Sequence, residues 1–217
     1  MRLVIAVMLV ACGLAIPPHA AADPDTCPPN CDRIPDAAWL PPWAIPLNAR
    51  YTWPRLAGVA VTAPSPRFRF EELCGTPPVA QDPRSYAVAE RATVANPAGQ
   101  WQLQAQVMHW RGETWRGGQL AEDVFRSAVT ALRSCQRTNP ASSPSLTVNE
   151  PDRMAAVISG PVILRQYVVV NPANSTVTEL AMWSTASPQT EWPMVSDETL
   201  LDALGAPLCT AYIGSCP

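Results

Sequence analysis

The segment 110–118 has the residue types best suited to bind a ligand, because the tripeptide Trp-Arg-Gly occurs in it twice. Arginine offers a planar set of N–H donors, and tryptophan offers an aromatic face for stacking. The segment also precedes a predicted helix, and the free N–H groups of a helix N-terminus favour anions. The alternative is an ordinary strand-to-helix connection whose arginines lie along the surface. The candidate ligand-binding residues are Trp110, Arg111, Trp115, Arg116 and His109.

His109 is the one histidine beyond residue 22. It is in phase with the apolar positions of a predicted strand, which favours a hydrogen-bonded histidine at the end of that strand. As a catalytic base it would need a nucleophile and an orienting acid, and the sequence has no Gly-x-Ser-x-Gly elbow. A zinc site with one histidine would also need carboxylates or free thiolates. We therefore predict no catalytic residue, no metal and no cofactor.

Neighbouring acidic residues do not form an obvious catalytic pair. Glu71-Glu72 and Glu122-Asp123 are adjacent in sequence, so their side chains diverge on a strand or helix and are typical of a solvated surface. A glycosidase needs two facing carboxylates, which residues distant in sequence could supply. A hydrolase of the cell envelope is therefore an alternative to a binding protein.

A hairpin and a helix are expected to position the segment. Polarity alternates over 86–94 and again over 101–109, with a Pro- and Gly-containing turn at 96–99, which predicts an antiparallel hairpin. The polar positions of the second strand are Gln102, Gln104 and Gln106. They predict one solvent-facing side, opposite an apolar side.

The following stretch, from Leu120 to Cys135, has apolar residues at helical spacing. Acidic residues in its first turn and arginines at its other end suit the helix dipole. We expect this helix to lie on the apolar side of the hairpin.

The second half of the chain adds more strands and a helix. Four strands are predicted, at 145–149, 154–159, 162–170 and 176–183. Ser196 can cap a helix over 197–204, which Gly205 and Pro207 should end. The predicted fold is α+β, an antiparallel β-sheet with helices packed on it, with residues 84–217 as the core of a single globular unit.

Residues 23–83 are dense in proline and are expected to form an arm with only short elements. Short strands are possible at 56–62 and 67–70. The arm contains the aromatic residues Trp39, Trp43, Tyr51 and Trp53. Disordered segments are poor in such residues, so we expect these rings to hold the arm on the core. A binding surface formed by the same rings is the alternative.

Residues 1–22 have the pattern of a signal peptide, an apolar run followed by three alanines at 20–22. We expect cleavage after Ala22 and a location outside the cell or in the cell envelope. A lipobox-like sequence at 9–12 gives the alternative of a lipoprotein anchored at Cys12. No other stretch is apolar for long enough to span a membrane.

The charge balance excludes one class of partner. The net charge is −3, and the pI is near 5.4. Nothing here is basic enough for a nucleic-acid interface. All 15 basic residues are arginine, which is typical of a GC-rich genome such as that of an actinobacterium.

Six cysteines follow the predicted cleavage site: Cys27, Cys31, Cys74, Cys135, Cys209 and Cys216. An even count in an exported chain favours disulfides over metal or thiol chemistry. Six cysteines allow 15 pairings, and the residues alone leave these open.

The element order over residues 70–205 resembles the extracellular sensor domains of mycobacterial transmembrane Ser/Thr kinases, the PknH-like family, which includes stand-alone exported members. The resemblance implies a disulfide-stapled antiparallel sheet with helices, a surface cleft, and a ligand-binding or sensing role. It also implies a Cys74–Cys135 disulfide. The chain departs from the family because no cysteine lies between Cys135 and Cys209 to form the second core pair, and no kinase domain is present.

These features favour an exported, non-enzymatic ligand-binding or sensor-like domain. The expected partner is a small molecule or a protein of the envelope. A protein-interaction module that uses the Trp-rich arm is the further alternative. If a cleft is present, Trp110, Arg111, Trp115 and Arg116 are expected to border it.

Overall fold

A computed structural model describes residues 33–212 and residue 216. Its centre is a seven-stranded antiparallel sheet with the strand order β1-β2-β3-β7-β6-β5-β4. The strands are β1 Val61–Thr62, β2 Val88–Val94, β3 Gln102–His109, β4 Ser143–Asn149, β5 Arg153–Ser159, β6 Val162–Asn171 and β7 Thr176–Thr185. The helices are α1 Asn48–Tyr51, α2 Arg69–Leu73, α3 Thr114–Arg133, α4 Cys135–Thr138 and α5 Asp197–Ala211. The predicted α+β fold is confirmed.

The sheet is assembled from two sets of sequential strands. The predicted hairpin is confirmed as β2 and β3, with Ala92 opposite Ala105. Strands β4 to β7 each pair with the next one along the chain. The two sets meet where β3 pairs with β7, with Ala105 opposite Leu180.

Both faces of the sheet are buried, so the molecule has three layers. On one face Leu103, Tyr167 and Leu180 pack with α5 and with the arm. On the other face Met108 and Val168 pack with α3 and α2. The sheet therefore divides two separate apolar cores.

Helix α3 lies on the face opposite the one predicted. It packs against the face that carries Met108, whereas the apolar positions of β3, such as Leu103 and Ala105, are covered by the arm and α5. Gln104 and Gln106, predicted to face solvent, are buried. The period-two pattern placed polar and apolar residues on the correct opposite sides, but the polar side is also covered.

Helix α3 begins at Thr114, so segment 110–118 is not the continuous loop that was predicted. Gly117 and Gly118 lie inside the helix where it approaches the 172–175 turn. A Cβ atom on Gly117 would lie 2.5 Å from Ser175 Oγ, and one on Gly118 would lie 2.5 Å from the Pro172 carbonyl oxygen. The two glycines therefore permit a close helix-to-turn contact.

We predict that Gly118→Ala destabilises the protein by about 1–3 kcal/mol, because the new methyl group overlaps backbone atoms. This loss opposes a gain of about 1 kcal/mol in helix propensity. Urea unfolding measures the difference. Gly205→Ala in α5 is the matched control, since its Cβ would lie 3.5 Å from Val169 Cγ1 and should be neutral or stabilising. Equal effects of the two substitutions would contradict the close approach of α3.

Helix α5 continues to Ala211, beyond the predicted end at Gly205 and Pro207. The predicted cap is confirmed, since Ser196 Oγ accepts a hydrogen bond from Thr199 N at 3.1 Å. The last turns bury Leu208 and Ala211 against the sheet. This burial outweighs the one backbone hydrogen bond that Pro207 cannot donate.

The residues around Phe68 form part of a helix rather than the predicted strand at 67–70. Phe68 and Phe70 are both buried, and α2 begins at Arg69. Glu71 Oε2 accepts a hydrogen bond from Phe68 N at 2.8 Å, which closes the first turn. Alternation of arginine and phenylalanine therefore did not indicate an edge strand here.

The Cys74–Cys135 disulfide is confirmed, with the two Cα atoms 4.9 Å apart. Cys209 and Cys216 form a second, local disulfide. Cys27 and Cys31 lie outside the described residues, as do the predicted signal peptide 1–22 and Cys12. Within the described part of the chain, no helix is both long and apolar enough to cross a membrane.

Candidate binding surface

Trp110 is part of the core. Its side chain is buried with Ala121 and Phe125 of α3, and its Nε1 donates a hydrogen bond to the Pro83 carbonyl oxygen at 3.0 Å. Its backbone N–H bonds to the Ser175 carbonyl oxygen at 2.9 Å. These contacts give Trp110 a structural role where the connection enters α3.

Arg111, Trp115 and Arg116 lie on the surface around the start of α3. Trp115 is 64% exposed, and its Nε1 donates to Glu113 Oε2 at 2.6 Å. Neither these residues nor Trp110 line any of the crevices described below. Their role in ligand binding stays a prediction.

His109 is buried at the end of β3. Its Nδ1 lies 3.2 Å from Thr176 Oγ1, and its ring stacks on Tyr212 with centroids 4.8 Å apart. Burial is the main cause that lowers the pKa of His109 to about 4. The ring is therefore neutral near pH 7 and is shielded from any solvent-borne substrate.

One small crevice brings carboxylates together. It lies between α3 and the 76–84 loop, has a volume of about 80 Å³, and is lined by Glu71, Asp82 and Asp123 among others. Arg84 neutralises two of these groups: its Nη1 lies 2.5 Å from Glu71 Oε2, and its Nη2 lies 2.6 Å from Asp82 Oδ2.

The chemistry of this crevice does not suit glycoside hydrolysis. The hydrogen bonds and charge of Arg84 outweigh desolvation and lower the pKa of Asp82, whereas a general acid needs a raised pKa. Typical ligand pockets are also several times larger. Within residues 33–212 and 216, no three His, Cys, Asp or Glu side chains are grouped so that they could hold a metal ion.

The largest of four surface crevices is an apolar groove of about 570 Å³ that is open to solvent. One wall is the arm between Trp43 and Arg50, and the other wall is the loop before α5. We call it the Trp43 groove. Its lining residues are Trp43, Ala44, Ile45, Pro46, Leu47, Asn48, Ala49, Arg50, Pro193, Val195 and Leu200.

Hydrogen bonds from the buried Trp53 fix the arm wall of the groove. Trp53 is buried, and its Nε1 donates to the Pro46 carbonyl oxygen at 2.8 Å. Its backbone N–H donates to Asn48 Oδ1 at 3.0 Å. Leu47 adopts a left-handed conformation with φ 64°, which is uncommon for a bulky residue and is retained only where the surroundings impose it.

The loop wall is clamped by aromatic residues. Trp192 packs against Trp101 with ring centroids 5.0 Å apart, and the Arg165 guanidinium lies 4.7 Å over the Trp192 ring. Trp101 Nε1 also donates to the Thr190 carbonyl oxygen at 2.8 Å. Both walls of the groove are therefore fixed by residues of one apolar core, the core that contains Trp53 and Trp101 and against which Trp192 packs.

The rim of the groove exposes large apolar side chains. Trp43 is 80% exposed, and Met194, which lies between two lining residues, is fully exposed. Of the arm's tryptophans, Trp39 and Trp53 are buried, which fits the prediction that these rings hold the arm on the core. Trp43 instead fits the alternative, a ring that lines a surface.

The lining of the Trp43 groove is almost entirely uncharged. Arg50 is the one charged residue in its lining, and in the described part of the chain it forms no ion pair. No family model, curated protein or solved structure matches the chain.

Proposed function

We propose that the chain is an exported, non-enzymatic binding domain of the bacterial cell envelope, and that the Trp43 groove binds an apolar, acidic segment of a partner polypeptide. The observation that carries the proposal is the exposure of Trp43 at the rim of the largest apolar crevice. Large exposed apolar patches mark interaction sites, and tryptophan is enriched among the residues that dominate binding energy.

The shape of the groove favours a polypeptide over a small molecule. Small-molecule sites bury most of the ligand surface, whereas this groove is open. Grooves lined by aromatic residues receive extended peptides, and Trp43 supplies such an aromatic surface here. Arg50 in the lining forms no ion pair with the described residues, so its charge favours a carboxylate in the bound segment.

The proposed location outside the cytoplasm is supported by the covalent structure. Two disulfides in the described residues are compatible with an oxidising compartment. The signal-peptide pattern of residues 1–22 also supports export from the cytoplasm.

We expect peptides selected from a random phage-displayed library to combine an aromatic or aliphatic anchor with an acidic residue. Trp43→Ala should weaken their binding at least about tenfold, because it removes the exposed indole ring of the groove against which the peptide is expected to pack. Arg50→Glu should weaken binding of the acidic peptides and leave the fold intact. Fluorescence anisotropy with labelled peptides measures both losses.

Trp115→Ala is the matched control, because Trp115 is also strongly exposed but lies outside the groove. Peptide affinity should be unchanged in it. If the library yields no binder, or if binders tolerate Trp43→Ala, the groove is not the binding surface. Binders that respond to Trp115→Ala or to Arg111→Ala/Arg116→Ala would instead assign binding to the start of α3.

A further inference from the structure

Glu179 on β7 is a completely buried carboxylate, and within the described part of the chain it forms no ion pair. Its Oε1 accepts hydrogen bonds from Arg69 N at 2.7 Å and from Gln166 Nε2 at 2.8 Å. Its Oε2 accepts one from Gln104 Nε2 at 3.2 Å. The three donors are neutral amides, so the hydrogen bonds to this carboxylate come from dipoles of the protein.

Glu179 belongs to a row of sheet side chains that bind the backbone of residues 67–73, which we call the strap. Gln166 Oε1 accepts a hydrogen bond from Phe70 N at 3.3 Å. The Arg67 carbonyl oxygen accepts from Arg91 Nη2 at 2.8 Å and from Gln106 Nε2 at 3.1 Å. The buried polar side of the sheet is thus matched to this one segment.

The chain is anchored on both sides of the strap, and the strap itself lies over Glu179. Before it, Ala63 N donates to the Ala89 carbonyl oxygen at 2.9 Å. After it, Cys74 is bonded to Cys135. Between these points the strap covers Glu179, so raising the strap would bring water to the carboxylate and would also lift Phe68 and Phe70 out of the core.

The charged groups around Glu179 come from the strap and from β2. Arg69 and Glu72 form an ion pair on the outer side of α2, and Arg91 on β2 lies 4.0 Å from Glu72. Arg91 is also the charged side chain that favours the ionised form of Glu179. Arg67 completes the set on the strap, while Glu71 is held by Arg84.

Desolvation by burial dominates these interactions and raises the pKa of Glu179 to about 7 from a reference value of 4.5. A carboxyl group whose pKa is higher in the closed state binds a proton more tightly when the strap is closed. Closure is therefore favoured as the pH falls and is opposed as the pH rises through 7.

We propose that the strap is a proton-coupled cover of the sheet, seated tightly when Glu179 is protonated and loosened when Glu179 is ionised. When raised, it exposes Gln106 and Gln166, the amides that bind a peptide backbone in the closed state, together with Gln104, which binds Glu179. This inference is independent of the Trp43 groove, because no residue is shared between the two sites.

Amide hydrogen exchange tests the coupling in the intact protein. After correction for the intrinsic exchange rate, protection of the Arg69 and Phe70 amides should fall about 10- to 30-fold between pH 5.5 and pH 8. Protection of the Ala181 amide in the central strand is compared in the same samples, because it separates strap opening from global unfolding.

Glu179→Gln keeps the shape and the acceptor but cannot ionise, so it should make strap protection independent of pH. Glu72→Gln, on the strap itself, is the matched control: it also replaces a glutamate by glutamine, and it should keep the wild-type pH dependence. A wild-type strap whose protection does not change with pH would overturn the proposal, as would an unchanged pH dependence in Glu179→Gln.

A second measurement needs no variant. Carbon-13 NMR of the glutamate carboxyl groups in the wild-type protein should show Glu179 titrating near pH 7. Titration below pH 5 would overturn the proposal even if Glu179→Gln failed to fold.

Discussion

Replacing both Cys74 and Cys135 with alanine should lower the free energy of unfolding by about 4 kcal/mol. The disulfide joins residues 61 positions apart, and the loss follows from the chain entropy that a closed loop of this length removes from the unfolded state. Both sulfurs are buried between α2 and α3. Urea unfolding of the double variant against the oxidised wild type measures the change.

The second disulfide supplies the comparison. Cys209 and Cys216 are 7 positions apart, so their joint replacement should cost about 2.5 kcal/mol by the same entropic argument. If the Cys74/Cys135 variant lost no more stability than the Cys209/Cys216 variant, loop length would not explain the stabilisation.

Arg84→Met should destabilise the protein by about 3–5 kcal/mol, the usual cost of leaving a buried charge without its partner. Arg84 and Glu71 are both buried, and Arg84 also binds Asp82 through Nε at 2.9 Å. The substitution keeps most of the aliphatic volume, so the loss reports mainly the uncompensated Glu71. Equilibrium unfolding in urea at pH 7 measures it.

Two further variants separate charge from packing. Arg84→Met combined with Glu71→Gln should recover part of the lost stability, because it removes the unpaired charge. Arg126→Met is the exposed control: its pairs with Glu122 and Asp123 are on the surface and should contribute less than about 1 kcal/mol. A similar loss for Arg84→Met and Arg126→Met would show that burial of the first ion pair has little effect.

Sequence patterns predicted the strands well where a strand has a continuous apolar run or a clear alternation. The bounds of β5, β6 and β7 lie within two residues of the predicted ones. The end of α5 was missed because Gly205 and Pro207 are local signals, whereas the burial of Leu208 depends on a sheet made by other residues. Local signals do not report tertiary contacts.

The orientation of α3 shows the same limit. Alternation in β3 separates Leu103 from Gln104, but it cannot tell whether the polar side meets water or another segment. Here that side meets the strap, whose backbone supplies the partners of Gln104's neighbours, Gln106 and Gln166. A polar side chain is compatible with burial whenever such partners exist.

The sequence indicated only one wall of the Trp43 groove, the one formed by the arm. Trp43 belonged to the aromatic residues of the arm, but nothing separated it from Trp39 and Trp53, which are buried. The opposite wall, Pro193 and Val195, comes from a loop distant in sequence. By composition, the segment 110–118 was the stronger candidate for ligand binding, yet its Trp110 packs in the core.

The pairing of β3 with β7 also determines when the sheet can be completed during protein synthesis. During synthesis the chain emerges from its N-terminus, so the β2–β3 hairpin can form long before Leu180 exists to pair with Ala105. Until then the inner edge of β3 is an open row of N–H and C=O groups, and contacts between such distant residues form slowly. The nascent chain therefore remains vulnerable to mispairing with other chains until β7 has been made.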